Sequence, residues 1–145
     1  MDISKVPVGP AKQTKRARWQ SYVDDALLKT GQVNNAAIHG LDGLRWACST
    51  NFQVNVKQVR KLVAFILGED PSLRKAGIEV ANQKFIFLKA VTGKAVYGRK
   101  GVDSGICVVK SEKALLIGTY GPGVQATNCN SVIEKLAEYL SQHDL

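Results

Sequence analysis

The sequence is poor in the residues on which catalysis and metal binding usually rest. It holds two histidines, His39 and His143, and three cysteines, Cys48, Cys107 and Cys129. The cysteines are odd in number and show no CxxC spacing, which reads as free thiols in a reducing compartment. No HExxH, Walker A or G-x-S-x-G pattern occurs, and no Cys/His cluster has metal-ligand spacing. Asp24 and Asp25 are the most conspicuous acid pair. On a helix, adjacent residues point apart, so solvation is their expected role. These absences argue against an enzyme, a bound metal and a resident cofactor. No apolar run approaches the roughly 20 residues of a membrane span, and the first residues lack the apolar centre of a secretion signal.

Hydrophobic residues make up 45% and charged residues 22% of 145 positions, enough for one domain with a sizeable core. The net charge is +8. Residues 1–18 contribute half of that excess through Lys5, Lys12, Lys15, Arg16 and Arg18 against Asp2 alone. The remainder suggests an acidic partner, and charge does not choose among nucleic acid, acidic lipid and protein. Residues 1–15 carry Pro7, Gly9 and Pro10 without apolar periodicity and read as a flexible basic extension. The folded domain is expected over residues 16–145.

Within that domain a first helix is predicted from about Arg16 to Lys29, ending near Gly31. Ala36–His39 and Leu44–Cys48 read as a hairpin turning at Asp42-Gly43. Asn55 and Gln58 have capping-box spacing. The helix they open has Val56, Val59, Val63, Ile66 and Leu67 on its apolar side and stops at Gly68. A polar connection containing Pro71 follows over 69–75. Strand-like runs then cover 77–81, 84–90, 95–98, 105–109 and 114–120, an antiparallel meander. A last helix begins near 128–130 and buries Val132, Ile133, Leu136 and Leu140. The implied class is α+β, one antiparallel sheet with helices on its faces. Gly121-Pro122-Gly123-Val124-Gln125-Ala126 fits G-x-G-x-x-A, but too little chain follows for a second strand and its acid, so it reads as a turn.

The most informative stretch is Trp19-Gln20-Ser21-Tyr22-Val23-Asp24-Asp25. As a helix it sets Trp19, Tyr22, Val23, Ala26 and Leu27 on one face. Trp46 lies on the returning strand of the hairpin, and Tyr139 stands one residue beside the Val132, Leu136, Leu140 rhythm, at the core's margin. A single aromatic at helical spacing is usually core packing. Four amphipathic rings together suit an apolar ligand that still needs hydrogen bonds, such as a polyproline II peptide. Trp19, at the start of its helix, is expected to be incompletely buried.

This stretch, followed by Ala36-Ala37-Ile38-His39-Gly40-Leu41-Asp42-Gly43, Trp46-Ala47, Tyr97-Gly98-Arg99-Lys100-Gly101, Asn128-Cys129-Asn130 and Leu136-Ala137-Glu138-Tyr139-Leu140, resembles the profilin family, most closely its plant-type members. The resemblance runs from Trp19 to the C-terminus. It implies that the N- and C-terminal helices lie side by side on one face of the sheet and a further helix on the other.

The resemblance also implies a polyproline site at Trp19, Tyr22, Trp46 and Tyr139, with Leu145 where family members often carry an aromatic. It implies a monomeric-actin surface, for which Lys84, Lys89, Arg99, Lys100, Asn130 and Lys135 are candidates. Asn130 is equally well read as a helix cap. Arg99-Lys100 resembles the family's basic, glycine-flanked loop, and with Lys110 suggests contact with phosphoinositide headgroups. Family members regulate actin nucleotide exchange and filament assembly in the cytoplasm, associated with the cytoskeleton. The competing expectation is a basic module for nucleic acid or anionic membrane, without actin activity. Specific nucleic-acid recognition is not expected. Pro7-Val8-Gly9-Pro10 is itself a P-x-x-P. The extension is expected either to compete for the aromatic cleft or to act as a solubilising arm.

Overall fold

In a computed structural model of the chain, residues 15–145 are described; the extension, with Pro7 and Pro10, lies outside them. Helix α1 covers Lys15–Ser21 and then changes pitch, winding as a π-helix over Tyr22–Leu27 and a 3-10 turn over Leu28–Thr30. The Ser21 hydroxyl donates back to the Ala17 carbonyl at 3.0 Å, a bond that competes with the helical ladder. The looser winding still turns Trp19, Tyr22, Val23, Ala26 and Leu27 inward, each 3% exposed or less. Gly31 ends the segment at φ 76, a left-handed conformation that glycine adopts without steric cost.

Strands β1 (Asn35–Gly40) and β2 (Arg45–Cys48) form the hairpin. Its turn is closed by Gly40 N–H donating to Leu44 O at 2.9 Å, with Gly43 at φ 98. Helix α2 (Val56–Ile66) opens with the expected capping box: Asn55 accepts from the Gln58 N–H, and Gln58 accepts from that of Asn55. Its inward stripe is Val59, Leu62, Val63, Phe65 and Ile66. Val56 and Leu67, expected inside, are 36% and 44% exposed. They fall at the first helical residue and just past the last one, where the helix turns off the sheet. The connection after Gly68 is not wholly irregular: α3 (Leu73–Ala76) forms one turn there and buries Leu73.

The meander comprises β3 (Ile78–Val80), β4 (Gln83–Val91), β5 (Ala95–Lys100), β6 (Ser104–Lys110) and β7 (Ala114–Tyr120). Seven strands pair antiparallel in the order β2-β1-β7-β6-β5-β4-β3. Helix α4 (Ala126–Gln142) closes the chain. It starts earlier than expected, with Gln125 as its N-cap. Asn130 therefore sits in the helix body and is not a cap. Val132 is half-buried rather than part of the core. No strand follows Ala126, which confirms the G-x-G-x-x-A segment as a turn.

One core lies between the sheet and the two terminal helices, and a second lies beneath α2 and α3 on the opposite face. Gly118 sets the close approach of α4: a Cβ there would meet Ile133 Cδ1 at 2.3 Å. The fold is α+β with the layer arrangement the sequence suggests. No helix among the described residues is long and apolar enough to cross a membrane.

Candidate functional site

The four expected rings converge from α1 and its π extension, β2 and α4. Trp19 and Trp46 have centroids 4.7 Å apart and tilted by 39°. Trp19 and Tyr22 are 5.5 Å apart, and Tyr22 and Tyr139 are 6.3 Å apart. Tyr139 in turn meets His143 at 4.3 Å, one helical turn further along α4. The result is a continuous row of five rings: Trp46, Trp19, Tyr22, Tyr139, His143. Sequence reasoning left His143 out of the site; its i+4 spacing from Tyr139 was the available signal.

Burial divides the row. Trp19 is 3% exposed and Tyr22 fully buried, whereas Trp46 and Tyr139 are half-buried and His143 is exposed. Trp19 is thus better covered than its place near the helix start suggested. Trp46 packs on one side, and the Arg18 guanidinium stands 5.9 Å from its ring centroid. Leu145 folds back, its N–H donating to Leu140 O at 2.9 Å, and packs half-buried against the same core.

The polar tips define the chemistry. Arg18 Nε, Trp19 Nε1 and the Tyr22 hydroxyl are buried and have no hydrogen-bond partner among the described residues. A buried donor left unpaired costs about 1–3 kcal/mol. Burial, and then the neighbouring Tyr139, push the Tyr22 phenol up to about 12. It therefore remains a protonated donor, although the two phenols do not meet hydrogen-bond geometry. Indole and guanidinium groups only donate. This part of the cleft is complementary to a ligand rich in carbonyls. An open groove of about 790 Å³ continues past Trp19 and Trp46, lined by Gln20, Arg45, Asn51 and Gln53 among others. Gln20 holds its wall by donating to Cys48 O at 3.0 Å.

The cationic candidates are dispersed. Residues paired across strands share a face, and residues two apart along a strand do so too. Lys89 opposes Tyr97, and Arg99 opposes Ile86. These four lie on the sheet face that carries α4, together with Val91, paired to Ala95. The helix packs mainly on β6 and β7, so β4 and the end of β5 stay open. There Ile86 is 60% and Val91 48% exposed. Lys89 Nζ sits 5.0 Å over the Tyr97 ring. The Tyr97 hydroxyl donates to the Glu134 carboxylate on α4. Burial, then that bond, raise the Tyr97 phenol above its ordinary range. Asn130 lies one turn before Glu134, half-buried, and Lys135 beside it is exposed.

Lys100, next to Arg99, points to the opposite sheet face and lines a pocket with Gln83 and Phe85. Both residues end strand β5, paired through Lys100 with Ser104. They are not in the turn, which begins at Gly101. Lys84 Cε lies near Gly77, in a pocket shared with Lys57 and Lys61 of α2. Lys110 ends β6, five residues or about 17 Å beyond the strand partner of Arg99, and its ammonium donates to Ser111 O at 3.2 Å. The structure thus joins Lys89 and Arg99 beside α4, with Lys100 on the opposite face and Lys110 at the far end of β6.

His39 is structural: it is fully buried, with Nδ1 3.0 Å from Gly43 O. Cys107 and Cys129 are buried free thiols. Burial holds the Cys107 thiol well above its usual range and pushes Cys129 up to about 12, which leaves both unreactive. Among the described residues no group of three His, Cys, Asp or Glu is placed to hold a metal.

The Profilin family pattern matches residues 17–145. Profilin-1A of Acanthamoeba castellanii is 40% identical over 122 residues, which span 84% of this chain and 94% of that protein. The crystal structure of Acanthamoeba castellanii profilin II superposes with a TM-score of 0.82 at 38% identity, covering 88% of this chain and 99% of that one. Mouse profilin IIa, in complex with a double repeat from the FH1 domain of mDia1, shares the fold with a TM-score of 0.70 at 22% identity, covering 88% and 99% of the two chains.

Proposed function

This chain belongs to the profilin family, and we propose that it is a two-surface binding module, taking proline-rich peptides in its aromatic cleft and monomeric actin on the β4–β5 face beside α4. The observation that carries the first part is the row of rings with its unpartnered donors. Proline has no N–H, so a polyproline II ligand offers flat rings and carbonyls without competing donors. It is already extended and loses little entropy on docking. The FH1 repeat held by mouse profilin IIa supports the same reading.

Actin binding rests on the family resemblance and on the exposed mixture of Ile86, Val91, Lys89 and Arg99. An apolar centre with cationic neighbours suits an acidic protein surface and speeds encounter with it. The module acts by selecting an actin conformation that releases nucleotide readily, not by chemistry of its own. Arg99, Lys100 and Lys110 remain the candidates for phosphoinositide headgroups, as separate contacts and not as one cluster. The working location is the cytoplasm, at the cytoskeleton.

The test is a tryptophan-fluorescence titration with a polyproline peptide at low and high ionic strength. Saturable binding that is nearly salt-independent is expected. No saturable response would remove the cleft reading. Binding of nucleic acid or anionic vesicles that falls steeply with salt, without peptide binding, would favour a charge-driven module instead.

A further inference from the structure

We infer that the N-terminal extension carries an intramolecular ligand: Pro7-Val8-Gly9-Pro10 occupies the groove beside Trp19 and Trp46 and competes there with external proline-rich ligands. The inference rests on the cleft reading above and adds a regulator encoded in the same chain.

The extension is an addition to the family domain. The family pattern begins at residue 17. The matched Acanthamoeba profilin II chain is covered to 99%, this chain only to 88%. The domain therefore does not need residues 1–14 to fold.

Chain length lets those residues reach the near end of the cleft. The described part of helix α1 starts at Lys15, and Trp19 stands one turn along it, about 6 Å away. Residues 11–14 reach up to about 14 Å when extended, enough to reverse direction. Four residues of polyproline II then run about 9 Å. The Trp46–Trp19–Tyr22 row has centroid steps of 4.7 and 5.5 Å, a matching length. With three residues per turn, Pro7 and Pro10 share one edge of that helix and meet the rings together.

Chemistry selects prolines over charge as the contact. The unpartnered donors nearest the chain entry are Arg18 Nε and Trp19 Nε1, and the segment offers them carbonyls. The described residues lining the groove include Arg45 and no acid, so the proposed contact is made by the prolines and carbonyls and not by ion pairs within the groove. A short tether gives an effective concentration in the millimolar range. Set against a millimolar affinity for so short a segment, this occupies the groove for a large fraction of the time and weakens external ligands about 2- to 10-fold.

The experiment compares the full chain with its Pro7→Ala/Pro10→Ala variant, and with a chain starting at Lys15. Each is titrated with a polyproline peptide at low and high ionic strength, followed by tryptophan fluorescence. Expected is about 2- to 10-fold tighter binding by the variant and by the shortened chain, the same at both ionic strengths and at different protein concentrations. Equal affinities for all three chains would overturn the inference and leave the cleft intact. A difference that disappears at high salt would overturn it in favour of a charge effect. One that grows with protein concentration would mean that the segment binds a second copy, which also overturns it. Failure of every chain to bind would remove the cleft reading itself.

Discussion

Gly40→Ala perturbs the cleft without touching any residue that meets the ligand. A Cβ on Gly40 would lie 3.1 Å from Trp46 Cζ2, 3.2 Å from Trp46 Cε2 and 2.8 Å from Asp42 Oδ1. Carbon atoms rest at about 3.5–4.0 Å, so the indole must retreat by roughly 0.3–0.9 Å. Asp42 must turn as well, loosening the bond that its Oδ1 accepts from the Leu44 N–H. Overpacking of this kind costs about 1–3 kcal/mol. Trp46 packs 4.7 Å from Trp19, and displacing it removes one stacking surface from the row. A well-placed aromatic contact contributes about 0.5–1.5 kcal/mol, so affinity for a polyproline peptide falls about 2- to 12-fold. Two assays separate these effects: urea unfolding reads stability, and a fluorescence titration under native conditions reads affinity. Unchanged affinity with a clear loss of stability would refute the reasoning, because the added methyl would then have been absorbed by the hairpin and not by Trp46.

Three further outcomes follow from the same structure. Asn55→Ala removes the side chain that accepts the Gln58 N–H and is expected to cost about 1 kcal/mol, read as a lower urea midpoint with an unchanged slope; no shift would mean that the capping box contributes nothing net. Burial lowers the His39 pKa despite the opposing Gly43 carbonyl contact. The unfolded chain then takes up a proton near pH 6.5 before the folded one does, so this residue's contribution is intact above that pH and falls as pH drops towards the folded value. The slope is at most about 1.4 kcal/mol per unit, and His39→Gln should flatten the urea midpoint between pH 7 and 5. Lys89→Glu with Arg99→Glu should weaken binding of monomeric actin and slow its association while leaving polyproline affinity unchanged; loss of both activities would point to misfolding, and loss of neither would remove the β4–β5 face.

Local rules made much of this legible. The Asn55/Gln58 spacing specified a helix start because both partners lie within one turn. The Asp42-Gly43 turn and the Trp19–Leu27 burial pattern were local in the same sense. Strand alternation also exposes what the sequence concealed. Arg99 and Lys100 look like one basic pair in a string of letters, but the pleat sends them to opposite faces. That depends on β5 extending through Lys100 to pair with Ser104, a non-local fact. The change of pitch at Tyr22 was equally hidden, since the buried residues are the same in a π turn as in an α turn. Val56 and Leu67 had the right spacing for the α2 stripe, but its ends lift off the sheet. His143 required knowing how the chain is held just past α4, where Asp144 pairs with Lys113 at 2.8 Å.

The two proposed surfaces stay independent because of how one sheet face is shared. Both terminal helices lie on that face, and together they cover its β2 side and centre. The aromatic row forms at the β2 margin, where α1 meets the edge strand and α4 meets the π segment that continues α1. From β2 to β5 there are four strand steps, about 19 Å at the usual spacing. No side chain of the cleft reaches Lys89 or Arg99 across that distance, and α4 stands between them. The Tyr97–Glu134 hydrogen bond ties α4 to β5. A ligand in the cleft therefore contacts one end of α4 and a partner on β4–β5 the other. Their simultaneous binding demands no rearrangement of the domain. Competition by the N-terminal extension, as proposed, would therefore weaken peptide binding and leave the β4–β5 surface unchanged.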